Sequence, residues 1–334
     1  MLPPNKPFCD LHIHVGASVA PHVMWTIAHQ QGFKLPVRNY WEFVDLITAN
    51  PRKVKSLEEY LAILHTWTER IQSSPTAVER SVYEIMGKEY RSSRVEKIEL
   101  RFNPMKRNQG GQRDLDHIIH AALRGMDRAK LEYGIEAGLI FCLAREFEPE
   151  LNEIIVRKAI KYAHRGVVGI DLAGTEKHTI ELSDSVDKYA RMFQHARDAG
   201  LGTTVHTGET AATSGEGVIA VMTKLKPDRI GHGVRAAYNA DATKMLADTG
   251  TVLEICPTSN LNTRAVLHLE EFKYILGTFQ DAGVLFTINT DGTYLCGTNI
   301  QREFALLTDS GILDPQAAER ARLLAFEASF MQNK

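Results

Sequence analysis

Three stretches of the chain repeat one local grammar: 197–209 (RDAGLGTTVHTGE), 247–260 (ADTGTVLEICPTSN) and 280–292 (QDAGVLFTINTDG). Each reads as the end of a helix, a glycine, an apolar and partly β-branched run, and then polar residues. Glycine closes a helix well because it takes the left-handed backbone conformation without a Cβ penalty. The run that follows has the near-continuous apolar character of a strand covered on both faces, as strands of a parallel sheet are. Ahead of Gly200, Val186, Tyr189, Ala190 and Phe193 fall at i, i+3, i+4 and i+7, which makes one apolar helix face.

Five further runs have strand character: 9–14, 95–102, 135–143, 167–172 and 229–234. With the three above they make eight. Eight strands alternating with helices in 334 residues predict an α/β fold, a (β/α)8 TIM barrel, over a doubly wound sheet. Residues 17–90 are too long for one crossover, and WEFVDLI and LEEYLAILHTW within them have helical spacing. They read as a helical insertion after the first strand, which in a barrel lies over the mouth as a candidate lid. No Pro/Gly/Ser-rich linker divides the chain, so residues 1–334 are read as one domain.

Composition narrows the partners. With 39 Lys and Arg against 41 Asp and Glu, the net charge of −2 gives no general attraction to nucleic acid or to an anionic membrane. No apolar stretch approaches the ~20 residues needed to cross a bilayer, and MLPPNKPFCD lacks the apolar core of a secretion signal. A cytoplasmic protein is the expectation. The four cysteines (Cys9, Cys142, Cys256, Cys296) are far apart, form no CxxC pair and lie in or beside apolar runs, which predicts reduced, buried thiols.

The chemistry begins at CDLHIH, residues 9–14. Strand side chains alternate between faces, so His12 and His14 point the same way. Alone, this pattern more often marks core or hydrogen-bonding histidines than ligands. Its weight comes from what ends the later strands: His206 and Glu209 in VHTGE, His232 in RIGHGV and Asp291 in INTDG. In a barrel all of these ends meet at the mouth, where active sites lie. Three imidazoles and a carboxylate suit Zn2+, and Fe2+ or Mn2+ are compatible with the same donors. An ion so held lowers the pKa of bound water to about 7, which makes hydroxide available for hydrolysis. Glu209 is not needed as a ligand and is free to shuttle protons. His232 is placed to orient the hydroxide and offset developing negative charge.

The motifs DLHIH, GIDLAGTE, VHTGE, RIGHGV, ICPTSN and NTDG, in this order between residues 10 and 292, resemble the adenosine deaminase family of metal-dependent amidohydrolases. The resemblance implies hydrolytic deamination of a 6-aminopurine nucleoside, adenosine or a related adenine derivative, to the 6-oxopurine and ammonia. By it, His12, His14, His206 and Asp291 hold one Zn2+ per chain. Glu209 protonates purine N1, His232 positions the hydroxide that attacks C6, and Asp291 joins these two as the catalytic set. The backbone N–H of Gly174 binds purine N3, with His14 and Gly292 also facing this small-molecule substrate.

Two positions depart from the family pattern. Most members carry Asp, Glu or Asn two residues after the second histidine, where this chain has Gly16, and a second acidic residue after Asp291, where it has Gly292. In nucleoside-specific members the first helps to bind the sugar, and the second is expected to bond purine N7. A missing partner for a buried polar ligand atom costs about 1–3 kcal/mol, enough to change the preferred substrate. Either Thr293 or a water in the space glycine leaves then serves N7, or the substrate is free adenine or a modified adenine nucleoside. Both glycines also suit tight turns. A different amidohydrolase acting on a cyclic amide or ester is the alternative on the same barrel, although HTGE together with GHG favours deamination. The other zinc deaminase signature, H-x-E with P-C-x-x-C, is absent.

The remaining polar and aromatic candidates have plainer readings. Arg101 and Glu176 are expected to form ion pairs near the mouth, and Ser259 and Asn260 to hold a loop. The nine other histidines are expected on the surface or in packing, and Trp25, Trp41, Phe43, Tyr60 and Trp67 in the core of the insertion.

Overall fold

The computed structural model describes residues 6–109 and 114–333. At its centre is one sheet of eight parallel strands in sequential order: β1 (Phe8–His14), β2 (Val95–Phe102), β3 (Glu136–Ala144), β4 (Val167–Ala173), β5 (Gly202–Thr207), β6 (Arg229–His232), β7 (Val252–Ile255) and β8 (Phe286–Ile288). The chain after β8 returns to β1. The His14 N–H donates to the Asp291 carbonyl and the Asp291 N–H to the His12 carbonyl, each at 2.7 Å, and the Leu11 N–H donates to the Asn289 side chain at 3.0 Å. The seam of this (β/α)8 barrel therefore runs through three residues singled out for chemistry.

The repeated grammar has the conformation it requires. Gly200, Gly250 and Gly283 have φ of 75°, 68° and 76°, the left-handed position that ends a helix before each strand. Val186, Tyr189 and Phe193 are buried and Ala190 is partly covered, as the helical spacing predicts. Among these five further runs, one boundary differs by more than a residue. The run 229–234 leaves the sheet at His232, because His232 and Gly233 both have positive φ (61° and 67°) and turn the chain into a 3-10 segment, Val234–Tyr238.

Between β1 and β2 the cover consists of helices Pro21–Gln30 and Tyr40–Leu46 and a helical stretch Leu57–Ile71. The centre of that stretch, Leu64–Thr68, is a π turn, a feature frequent beside functional sites. Asn39 and Ser56 start two of these helices by accepting from the Glu42 and Glu59 N–H groups. The last helix of the interval, Pro75–Ser93, belongs to the outer ring. It packs so closely on Asp116–Tyr133 that a Cβ at Gly125 would lie 2.4 Å from the Glu79 carbonyl oxygen. The segment over the mouth thus ends near residue 73, short of the expected 90.

The barrel axis is filled by charge as well as by apolar side chains. Glu99, Arg229, Glu254, Arg101 and Asp171 are all buried and pair in a row: Glu99–Arg229 at 2.5 Å, Arg229–Glu254 at 2.7 Å, Glu254–Arg101 at 2.8 Å and Arg101–Asp171 at 3.1 Å. Such a row stands only because each charge meets its opposite, and it fixes geometry more than it adds stability. At the floor, the Ser329 hydroxyl and the Phe330 N–H donate to Glu99, and the Arg229 guanidinium lies 3.6 Å from the centre of the Phe330 ring. All four cysteines are buried and unpaired. Among the described residues no helix is long and apolar enough to cross a membrane.

Candidate active site

At the other end of the charge row the predicted imidazoles converge. Donor atoms of His12, His14 and His206 all lie within 4.8 Å of one another, and the Nε2 atoms of His14 and His206 are 3.1 Å apart. Asp291 Oδ1 is 3.4 Å from His14 Nε2 and 3.7 Å from His12 Nε2. The His232 ring is centred 4.9 Å from that of His12 and 5.3 Å from that of His206, and its Nε2 is 3.7 Å from Glu209 Oε2. Every residue proposed for metal or proton chemistry is therefore in one cluster. The Cys256 thiol also falls within 4.8 Å of His12 and His232 donors, but it is directed to the Glu254 carbonyl.

The backbone is strained to achieve this. His232 (φ 61°) and Asp291 (φ 60°) both occupy the left-handed region, which costs a residue with a side chain about 1–3 kcal/mol. Each is tied down by a neighbour on the segment after β7. The Ser259 hydroxyl donates to Asp291 Oδ2, and the Asn260 amide meets His232 Nδ1 at 3.0 Å. These two residues, expected only to hold their own loop, thus hold the site.

Two acidic residues that the sequence reading passed over orient the imidazoles. Glu254 on β7 is 2.7 Å from His12 Nδ1, and Asp171 on β4 is 3.0 Å from His206 Nδ1. A carboxylate on Nδ1 fixes the tautomer and turns the Nε2 lone pair inward, the usual support of a metal-binding histidine. Arg101 bridges both carboxylates, so its ion pairing lies inside the barrel beneath the imidazoles. Glu176, the other expected ion-pair residue, instead accepts from the Glu209 and Thr210 N–H groups and so sets the loop carrying Glu209. The available signal was an ionisable residue inside an apolar strand: VLEIC, GIDLA and ELRF.

The donor set fits a divalent cation. His12 Nε2 is buried and has no hydrogen-bond partner among the described residues, a rare condition for a polar atom. Burial holds His12 well below the usual histidine range and takes His14 down to about 3, so both are neutral with a free lone pair. Against burial, which would raise it, His14 and His232 keep Asp291 below the usual carboxylate value, hence ionised. Glu209 behaves oppositely: burial, then Glu176 and Asp291, push its carboxyl up to about 8.

A family model described as "Adenosine deaminase" matches residues 7–334. The chain belongs to the adenosine deaminase family. It is 30% identical over 325 residues to the adenosine deaminase of Clostridium botulinum strain Kyoto, covering 97% of this chain and 93% of that protein. With the adenosine deaminase of Clostridium kluyveri it shares 32% over 304 residues, 90% of this chain and 83% of that one. Solved structures share the fold: an adenine deaminase from Arthrobacter aurescens (TM-score 0.84, 19% identity, 97% and 94% covered) and a zinc-bound amidohydrolase from Burkholderia ambifaria (0.83, 22%, 97% and 85%). An Arabidopsis structure complexed with IMP aligns at a TM-score of 0.78, with 22% identity over 97% of this chain and 92% of that one. This adenosine deaminase family member is a hydrolytic deaminase of adenine compounds, and its family is metal-dependent.

Neither Gly16 nor Gly292 has a positive φ, so what each of them governs is space. A Cβ at Gly16 would lie 2.8 Å from both Arg107 Nη2 and Leu64 Cδ1. At Gly292 it would lie 2.4 Å from the Ala17 methyl and 3.1 Å from the Tyr60 hydroxyl. The room expected for a water beside Gly292 is thus taken. Tyr60, read from sequence as core, reaches the mouth: its hydroxyl is 3.5 Å from Asp291 Oδ2, and it lines the reaction cavity with His14, Gly174, His206, Glu209 and His232.

Proposed function

We propose that the protein deaminates a 6-aminopurine nucleoside, adenosine or a derivative of it, with one zinc ion held by His12, His14, His206 and Asp291. The observation that carries this reading is the orphaned Nε2 of His12, buried among two further imidazoles and an ionised carboxylate. Held by these residues, a zinc ion would supply hydroxide near neutral pH by lowering the pKa of bound water to about 7. Zinc is favoured by a donor set of three nitrogens and one carboxylate oxygen, and the zinc-bound neighbour with this fold supports it. The Arabidopsis neighbour that holds IMP supports a purine as the small-molecule partner.

The chain's own residues do the rest. Glu209 is kept protonated by its surroundings, and the Thr263 hydroxyl holds its Oε1 at 3.1 Å. It gives its proton to purine N1, which draws electrons from C6 and opens that carbon to attack. His232, its ring fixed by Asn260, stabilises the charge that develops on the attacking oxygen, and Asp291 accepts the proton released. The now ionised Glu209 takes the hydroxyl proton of the C6 adduct and gives it to the exocyclic nitrogen, which leaves as ammonia, and the proton held by Asp291 returns Glu209 to its protonated state. The Gly174 N–H reads N3 at the cavity wall. The Tyr60 hydroxyl stands where the second acidic residue is missing and donates to N7.

Metal analysis and ammonia release over adenosine, deoxyadenosine, adenine and larger adenine nucleosides test the reading. Glu209→Gln should keep its metal and lose about 10²- to 10⁴-fold in turnover, the usual worth of a positioned acid. Unchanged turnover in that variant, or no ammonia from any compound of the panel, would refute it.

A further inference from the structure

A second cleft adjoins the reaction cavity, and His14, Leu61, Leu64, Ala173 and Gly174 line both. The two share one wall, beside the residues proposed to hold the metal. The wall of the second cleft carries buried donors that no described residue satisfies. Arg107 is 1% exposed, and its Nε and Nη1 have no hydrogen-bond partner among the described residues. Asn103 is 4% exposed; its Oδ1 accepts from the Lys106 N–H at 2.9 Å, and its Nδ2 is left without an acceptor.

The acids nearby engage only part of this wall, since Glu69 meets the Nη2 of Arg107 and leaves Nε and Nη1 unmet among the described residues. Glu69 is 3.3 Å from Arg107 Nη2, but its other oxygen is committed to His65 at 2.6 Å, and Glu146 is taken by Lys106. Arg101, just as buried, has two carboxylates, and they raise its guanidinium pKa above the usual value. For Arg107 burial wins over its single acid, and the pKa falls. Leaving a buried donor unmet is costly, and a guanidinium meets carboxylates and phosphates with a planar fork of N–H groups.

Resting on the 6-aminopurine reading above, we infer that Arg107 and Asn103 bind an anionic group at the outer, 5′ end of the substrate's sugar. The substrate is then a 6-aminopurine nucleoside bearing a phosphate or a carboxylate there. The side-chain-free Gly16 makes room for the guanidinium, whose Nη2 would otherwise meet a Cβ at 2.8 Å.

Calorimetry on the metal-loaded full chain decides this without relying on turnover. Inosine, inosine 5′-monophosphate and the 5′-carboxylate of inosine are compared, while ammonia release from the matching 6-amino compounds is followed in parallel. At least one anion should bind about 10- to 100-fold more tightly than inosine, the range expected for a charged hydrogen bond made in a buried site. Which anion wins identifies the group. Arg107→Met should bring that ligand to within about threefold of inosine; if that variant does not fold, Asn103→Ala should reduce the preference instead. Two anions that bind no better than inosine overturn the inference even if adenosine is deaminated, as does a preference that survives in Arg107→Met. Tight anion binding with no ammonia from any compound sinks the deamination reading and leaves the anion site standing.

Discussion

Glu254→Gln should weaken both the apo fold and metal binding, by amounts that can be measured separately. Glu254 Oε2 accepts from His12 Nδ1 at 2.7 Å and from Arg101 Nη2 at 2.8 Å, while Oε1 faces Arg229 Nε at 2.7 Å and the Thr204 hydroxyl at 3.3 Å. Glutamine keeps the shape but has one acceptor oxygen for these donors, and its amide nitrogen must point at two of them whichever way it turns. Removing one charge from a buried row leaves its partner uncompensated, at a cost of about 3–5 kcal/mol to the apo fold. Loss of the group that orients a metal-binding imidazole costs about 10- to 100-fold in metal affinity, or about 1.4–2.8 kcal/mol at 1.4 per decade. Chelator competition measures the second quantity, and chemical unfolding of the apo and metal-loaded chain measures both. Thr204→Val removes only the 3.3 Å contact on the Oε1 side and serves as the control; it should cost about 1 kcal/mol and leave metal affinity within about threefold. A destabilised Glu254→Gln that bound metal as tightly as the parent would show that Glu254 supports the barrel alone, and the orienting role would fall.

Tyr60→Phe should lower kcat/KM for adenosine by about 10- to 100-fold with metal content unchanged, and should matter far less for 7-deazaadenosine, which has no N7 to serve; equal losses on both would remove Tyr60 from base recognition. Against burial, which would raise it, Arg107 and His65 hold Glu69 down to about 2, well under its ordinary 4.5. The stability Glu69 adds is therefore complete above pH 4.5 and is lost as pH falls toward 2, so the stability difference between the parent and Glu69→Gln should shrink through that window in chemical unfolding; a constant difference would refute the pairing. Gly125→Ala sets a Cβ 2.4 Å from a backbone oxygen that cannot step aside, and should cost about 1–3 kcal/mol, visible as a lower thermal midpoint; an unchanged midpoint would mean the two ring helices part freely.

The barrel and the converging ligands were legible because both depend on periodic, local signals. Glycine after a helix face, an apolar run and a polar end recur often enough to count strands, and side-chain alternation puts His12 and His14 on one face whatever else surrounds them. The supports of the site were not legible in the same way. Glu254 and Asp171 sit inside strands whose neighbours are apolar, and only the closed barrel shows that they lie under His12 and His206 and share Arg101. Tyr60 and Arg107 were missed for a related reason: their spacing marks a helix or a loop, while their roles come from what the mouth lacks at Gly292 and Gly16. The extent of the insertion was overread because Pro75–Ser93 has the same helical spacing as the cover, and only its packing on Asp116–Tyr133 assigns it to the ring.

Chemistry and recognition are consequently held by different parts of the chain. The imidazoles and Asp291 are fixed from below, by the charge row and by the closing bonds between β1 and the segment after β8, so their positions are set together. The two departures from the family pattern lie above them, where the cover meets the mouth, and each vacancy is filled by another residue: Arg107 and Leu64 at Gly16, Ala17 and Tyr60 at Gly292. An acid restored at Gly292 would collide with the Ala17 methyl, whereas at Gly16 it would have to displace the movable ends of Arg107 and Leu64. At Gly16 the exchange also reverses polarity, since a group that accepts from a sugar hydroxyl gives way to one that only donates. If Arg107 binds substrate as inferred, a substrate fitted to this mouth brings its own acceptor to that corner, and the reaction at C6 proceeds without it.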